Sequence, residues 1–150
     1  MKFRIVFISG TLLGLAVAAL EFVKKYAIEM DYKPFSQISS ILLIIFIVYV
    51  LYRGIKEIRD RIYDGGIKFS KAFLFGAEIS FVAFLIVFLY LILHYNYIDV
   101  EALQRFNERN ATLPPLPTSI ALSFFSSFSV LLYGIFLNLF VSMYVYRKKQ

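Results

Sequence analysis

Four long apolar blocks dominate this chain and leave few folds open to it. They cover about 5–23, 35–52, 72–97 and 119–146. Nineteen helical residues span roughly 28 Å, close to the ~30 Å of a bilayer's hydrocarbon core. None of the blocks alternates polar and apolar residues as a barrel strand does. In lipid a continuous run must satisfy its own backbone hydrogen bonds, so each block reads as a helix. Composition agrees: 60% of the 150 residues are hydrophobic, against about 45–50% in soluble domains. A globule this small cannot hide that excess. The expected fold is an all-α membrane protein, a single domain of four transmembrane helices in an up-down bundle.

Lysine and arginine orient the bundle. Lys2 and Arg4, the 53–71 loop with Arg53, Lys56, Arg59, Arg61, Lys68 and Lys71, and the terminal Arg147, Lys148 and Lys149 place eleven bases on one side. Lys24, Lys25, Lys33, Arg105 and Arg109 place five on the other. The positive-inside bias puts the eleven, and both termini, in the cytoplasm. Tyr26, Tyr32, Tyr52, Tyr95, Tyr97, Tyr144 and Tyr146 lie near block ends, where an aromatic belt is expected. Within the first block, Ala16-Val17-Ala18 resembles a signal-peptidase site. The apolar run continues past it to Val23, so the block is read as a retained span. Gly10, Gly14 and Ala18 stand four apart, a small-residue face on which helices approach closely. Gly134 joins Ser119, Ser123, Ser126, Ser127 and Asn138 in a comparable stripe on the fourth span.

Both long loops carry local signals. Ile55, Ile58 and Ile62 keep helical spacing beyond the second span, which predicts an amphipathic stalk leaving the bilayer. Asp64-Gly65-Gly66 ends it, and Ser70 is the expected N-cap of the third helix. The basic cluster of this loop is a candidate site for headgroups or for lipid-linked phosphate. In the outer loop, 98–117, the spacing of Val100, Leu103 and Phe106 predicts a short surface helix. A stiff Pro-rich connector, 113–117, follows it.

The stretch Tyr52-Arg53-Gly54-Ile55-Lys56, Arg59-Asp60, Gly65-Gly66-Ile67, Phe69-Ser70, Ala72-Phe73 and Gly76 is similar to the signature of DUF4199, a bacterial family of small membrane proteins. Tyr97-Ile98-Asp99 and the fourth-span ending around Gly134 with Arg147-Lys148-Lys149 resemble it too. The resemblance implies a four-helix membrane protein of the bacterial inner membrane. It brings no activity, substrate or functional residue.

Charged groups inside a membrane are costly and are functional candidates for that reason. Glu78, Asn138 and Ser142 are the intramembrane polar candidates. Glu78 has no base three or four positions away on its own helix, and two placements are open to it: facing the bundle with a bond to Asn138, Ser142, Ser9 or Thr11, or standing as a carboxylate at the interface. Glu21 is expected to pair with Lys25 one turn on. The lone His94 cannot make a metal site and is expected at the interface. With no cysteine in the chain, thiolate chemistry and disulfides are excluded. No catalytic constellation stands out, and no cofactor is expected. The net charge of +6 is assigned to topology and not to nucleic acid. Expected partners are the bilayer and a membrane protein or a second copy of the chain. Three functional readings follow: a non-enzymatic accessory or scaffold subunit, a small oligomeric transporter or channel, and a binder of anionic or lipid-linked phosphate through the basic loop.

Overall fold

A computed structural model of the chain describes residues 1–29, 33–110 and 118–146, with side chains over 1–24, 37–110 and 118–146. Lys25, Tyr26, Tyr32, Lys33, the 113–117 connector and Arg147–Lys149 therefore fall outside the described side chains. The described chain is helical: α1 Lys2–Glu29, α2 Lys33–Ile62, α3 Phe69–Leu93 with a π-helical turn His94–Ile98, α4 Ala102–Arg109 and α5 Ser119–Val145. Four of these helices are long and apolar enough to cross a membrane.

The first three spanning helices outrun their apolar blocks, whereas α5 keeps to its own, because backbone hydrogen bonding need not stop where hydrocarbon stops. The extension is largest in α2. Its stalk continues unbroken to Ile62, with Ile55 and Ile58 fully buried. Ile62 itself is exposed, so only two of the three stalk isoleucines face the core. The stop falls at Asp64 and Gly65, both at positive φ (48° and 86°). The Gly65 N–H turns back to the Arg59 carbonyl (3.1 Å). Ser70 does not cap α3. Lys68 holds the N-cap backbone position, and Ser70 lies one residue inside the helix.

Directions alternate, but sequence neighbours are not always spatial neighbours. α3 packs mainly against α5 and α1, and α2 packs against α1 and α5, so α2 and α3 face each other across the bundle. The 63–68 turn must then cross the end of the bundle diagonally. Ile67 is buried there, and the Tyr63 ring lies 6.0 Å from that of Phe75. This terminal end also carries Met1 and Tyr146. The π-helical turn and α4 lie at the opposite, distal end. α1 and α3 run parallel: Gly10 sits against Ile79 and Val82, and Gly14 against Ala83 and Ile86.

Outward, the spans present Phe7, Leu15, Ile41, Leu89, Phe125 and Phe136, all at least half exposed. A soluble monomer rarely exposes apolar surface on this scale. At the distal end the surface helix begins at Ala102, so Val100 stays outside it and exposed. Phe106 anchors α4 through an edge-on contact with Phe125 (5.8 Å).

Candidate functional site

Polar side chains gather at three levels of the bundle: the α3–α5 seam, the terminal end and the distal end.

The seam is built on two glycines. A Cβ on Gly76 would lie 1.8 Å from Asn138 Oδ1, and a Cβ on Gly134 would lie 2.5 Å from Ser80 Oγ. Each helix thus inserts a polar side chain at the other helix's glycine. The Asn138 amide is fully buried, and its Nδ2 donates to the Phe73 carbonyl of α3 (2.7 Å). Its Oδ1 accepts from Ser142 Oγ (2.9 Å). Ser80 Oγ donates to the Gly76 carbonyl (2.9 Å). These bonds leave the buried polar atoms of the seam partnered, as the cost of buried polar groups demands. Higher in α5, Ser123 Oγ donates to the Ser119 carbonyl (2.8 Å) and Ser127 Oγ to that of Phe124 (3.0 Å). Such bonds back to the helix satisfy the buried Ser123 and Ser127 at a packing surface, whereas Ser126 of the same stripe faces the distal chamber.

Glu78 stands apart from the seam. Its carboxylate pairs with Lys2 Nζ of α1 at 3.2 Å, with both side chains a third or more exposed. Lys2 also lies over the Phe75 ring, 4.6 Å from its centroid. The first of its two placements, with a bond to Asn138, Ser142, Ser9 or Thr11, is replaced by this cross-helix pair. The parallel α1–α3 packing explains it, because it brings the start of α1 level with the first turns of α3. Ser9 instead sits against Gly54 of α2.

At the terminal end the candidate headgroup bases are spread among intrachain contacts. Arg59 Nη1 donates to the Val145 carbonyl (3.3 Å), where a helix C-terminus favours a cation. Its Nε pairs with Asp60 (2.8 Å), and Arg61 pairs with Glu57 (3.2 Å). Arg53 donates to Tyr49 Oη (3.3 Å). Lys56 lies over the Tyr52 ring and Lys71 over that of Tyr63. Lys68 is exposed at the head of α3.

The distal end holds a feature that spacing alone did not reveal. All four spanning helices enclose a chamber of about 410 Å³. Val17, Leu43, Ile47, Val87, Leu91 and Val130 form its apolar walls. Glu21, Lys24 and Tyr95 stand at its mouth and are shared with a second, polar vestibule of about 670 Å³. Glu21 pairs with Lys24 (3.1 Å). In the vestibule, Arg105 pairs with Asp99 and lies 3.6 Å from Glu101, and Arg109 completes the wall. Tyr95 turns inward from the expected belt and donates to Ser126 Oγ (3.5 Å), whereas Tyr97 and Tyr144 are exposed. His94 is buried in the π-helical turn. Its Nδ1 lies 3.2 Å from Tyr90 Oη. His94 and Tyr95 follow the buried Leu91 by three and four residues, which sets them on the inward face that Val87 and Leu91 already occupy.

Four apolar spans, small-residue seams and an exposed apolar girdle define an all-helical, four-span membrane protein. Within that class the chain belongs to the DUF4199 family, described as a protein of unknown function, whose model matches residues 8–148. No curated protein and no solved structure matches the chain.

Proposed function

We propose that this protein is a non-enzymatic accessory or scaffold subunit of the bacterial cytoplasmic membrane, with the terminal end inside. The observation that carries this reading is the use made of the buried polar groups at the α3–α5 seam. Asn138, Ser142 and Ser80 bond to each other or to backbone across and along that seam, at helix approaches only glycine permits. A conduit needs such groups turned towards a water-filled path. Here they are spent on holding helices together. Glu78, the other group a transport path would recruit, is half-exposed and paired with Lys2.

The test is purification of the full chain in a mild detergent, followed by identification of what travels with it. The reading expects one membrane protein, or a second copy of the chain, at fixed stoichiometry. Solute flux in reconstituted vesicles that disappears in Glu78→Gln would overturn it in favour of a transporter.

A further inference from the structure

The distal chamber and vestibule share Glu21, Lys24, Leu91 and Tyr95 as lining and together make an amphipathic site. Its apolar part has the volume of a ligand pocket, which runs from about 300 to 1,000 Å³. Its apolar walls come from all four spans, while charged groups gather only at the distal mouth. That division matches a molecule with an apolar tail and a charged head.

The way in is lateral. Ser40 and Ile44 of α2 and Ser129 and Tyr133 of α5 line the chamber and are themselves exposed. The two helices meet closely at the terminal end, where the Tyr52 and Tyr144 rings are 5.8 Å apart. At the level of the chamber, the exposed Ser40, Ile44, Ser129 and Tyr133 border a slot between α2 and α5 that faces the lipid. A chain already dissolved in the bilayer can enter through it without crossing water.

Charge at the mouth selects the head. Among the described residues, Lys24, Arg105 and Arg109 face Glu21, Asp99 and Glu101, three bases against three acids. Most are already paired with each other. A purely anionic head would strand the acids, and an uncharged head would gain nothing from displacing the pairs. A head carrying both a phosphate and an ammonium can exchange partners with these pairs and leave no charge uncompensated.

The geometry points to a binding site for a zwitterionic phospholipid-type amphiphile. One acyl chain lies in the chamber. The phosphate is held by Lys24 with Arg109, and the ammonium by Glu21 or Asp99. The site stands on the cavity alone and is independent of the accessory role.

The test uses the full-length protein in neutral detergent and exploits the absence of tryptophan in the chain. A reporter at the slot, Tyr133→Trp, is compared with one on the lipid-facing surface, Phe136→Trp. Both positions are exposed. The probe is a single-chain phosphoethanolamine amphiphile with a brominated tail. Quenching of the Tyr133→Trp reporter should saturate, while quenching of the Phe136→Trp reporter should rise only with bulk partitioning. Adding Lys24→Gln should raise the half-saturation concentration about tenfold, the loss of one charge-assisted contact. Arg109→Gln, on the exposed α4 surface, should shift it the same way and guards against a Lys24 variant that fails to fold. The same tail on a phosphoglycerol head, which lacks the ammonium, should bind more weakly. Non-saturating quenching that is equal at both reporters overturns the site. Equal or tighter binding of the phosphoglycerol probe, or of an uncharged monoacylglycerol, overturns the assigned head.

Discussion

The amide of Asn138 occupies the space that a side chain on Gly76 would need. A Cβ there would lie 1.8 Å from Asn138 Oδ1, too close for either atom to yield slightly. The two positions are therefore one unit, although 62 residues of chain separate them. Gly76→Ala should destabilise the protein by about 1–3 kcal/mol, the usual cost of overpacking. Asn138→Ala should cost about 1–2 kcal/mol through the lost bond to Phe73 and the space left behind. The double variant should be more stable than the sum of the two losses predicts, because the second change makes room for the first. Denaturation of all three in detergent checks this, and strict additivity would dismiss the unit.

The parallel α1–α3 contact makes a harsher prediction. A Cβ on Gly10 would meet Val82 Cβ at 2.5 Å and the Ile79 carbonyl at 2.9 Å, and backbone cannot swing aside. Gly10→Leu should therefore separate the two helices and cost more than ~3 kcal/mol, above the ordinary overpacking range. Leu12→Ala, at an exposed position two residues away, should change stability by less than about 1 kcal/mol. Equal losses from the two would show that α1 does not dock through its glycine face.

Replacing Glu78 should matter little to folding. The Lys2–Glu78 pair is substantially exposed, and such pairs contribute roughly 0–1 kcal/mol. Glu78→Gln should unfold within about 1 kcal/mol of the parent in the same denaturation assay. A loss of several kcal/mol would mean that the carboxylate is buried in the membrane-embedded protein.

Orientation can be read chemically because the chain has no cysteine. Single cysteines at Ser70 and at Glu101 occupy exposed positions at the terminal and distal ends. In intact cells a membrane-impermeant maleimide should label Glu101→Cys and spare Ser70→Cys until the membrane is opened. The reverse pattern would invert the assigned topology.

Arg59 ties the α2 stalk to the last carbonyl of α5, a contact between a cation and the negative end of a helix. Arg59→Ala should cost about 0.5–2 kcal/mol and should speed hydrogen exchange first in the last turn of α5. Exchange that changes only in α2 would assign the loss to the Asp60 pair instead.

The sequence by itself determined the class of fold and the number of spans, because long apolar runs have only one low-cost solvent and, in it, only one backbone form. It also marked the Asp64-Gly65 stop and the small-residue face of α1, since these depend on local backbone geometry and on period. It could not determine which faces meet. Residues as far apart as Gly76 and Asn138, Ser80 and Gly134, or Lys2 and Glu78 become neighbours only when α3 settles between α1 and α5, a choice absent from any single helix's periodicity. The inward turn of His94 and Tyr95 and the distal chamber arise in the same way. Tyr95 reaches Ser126, 31 residues on, and the chamber takes its lining from all four spans, neither of which one helix's pattern announces. Hydrophobicity assigned each helix to the membrane, and interhelical packing decided what its polar residues touch.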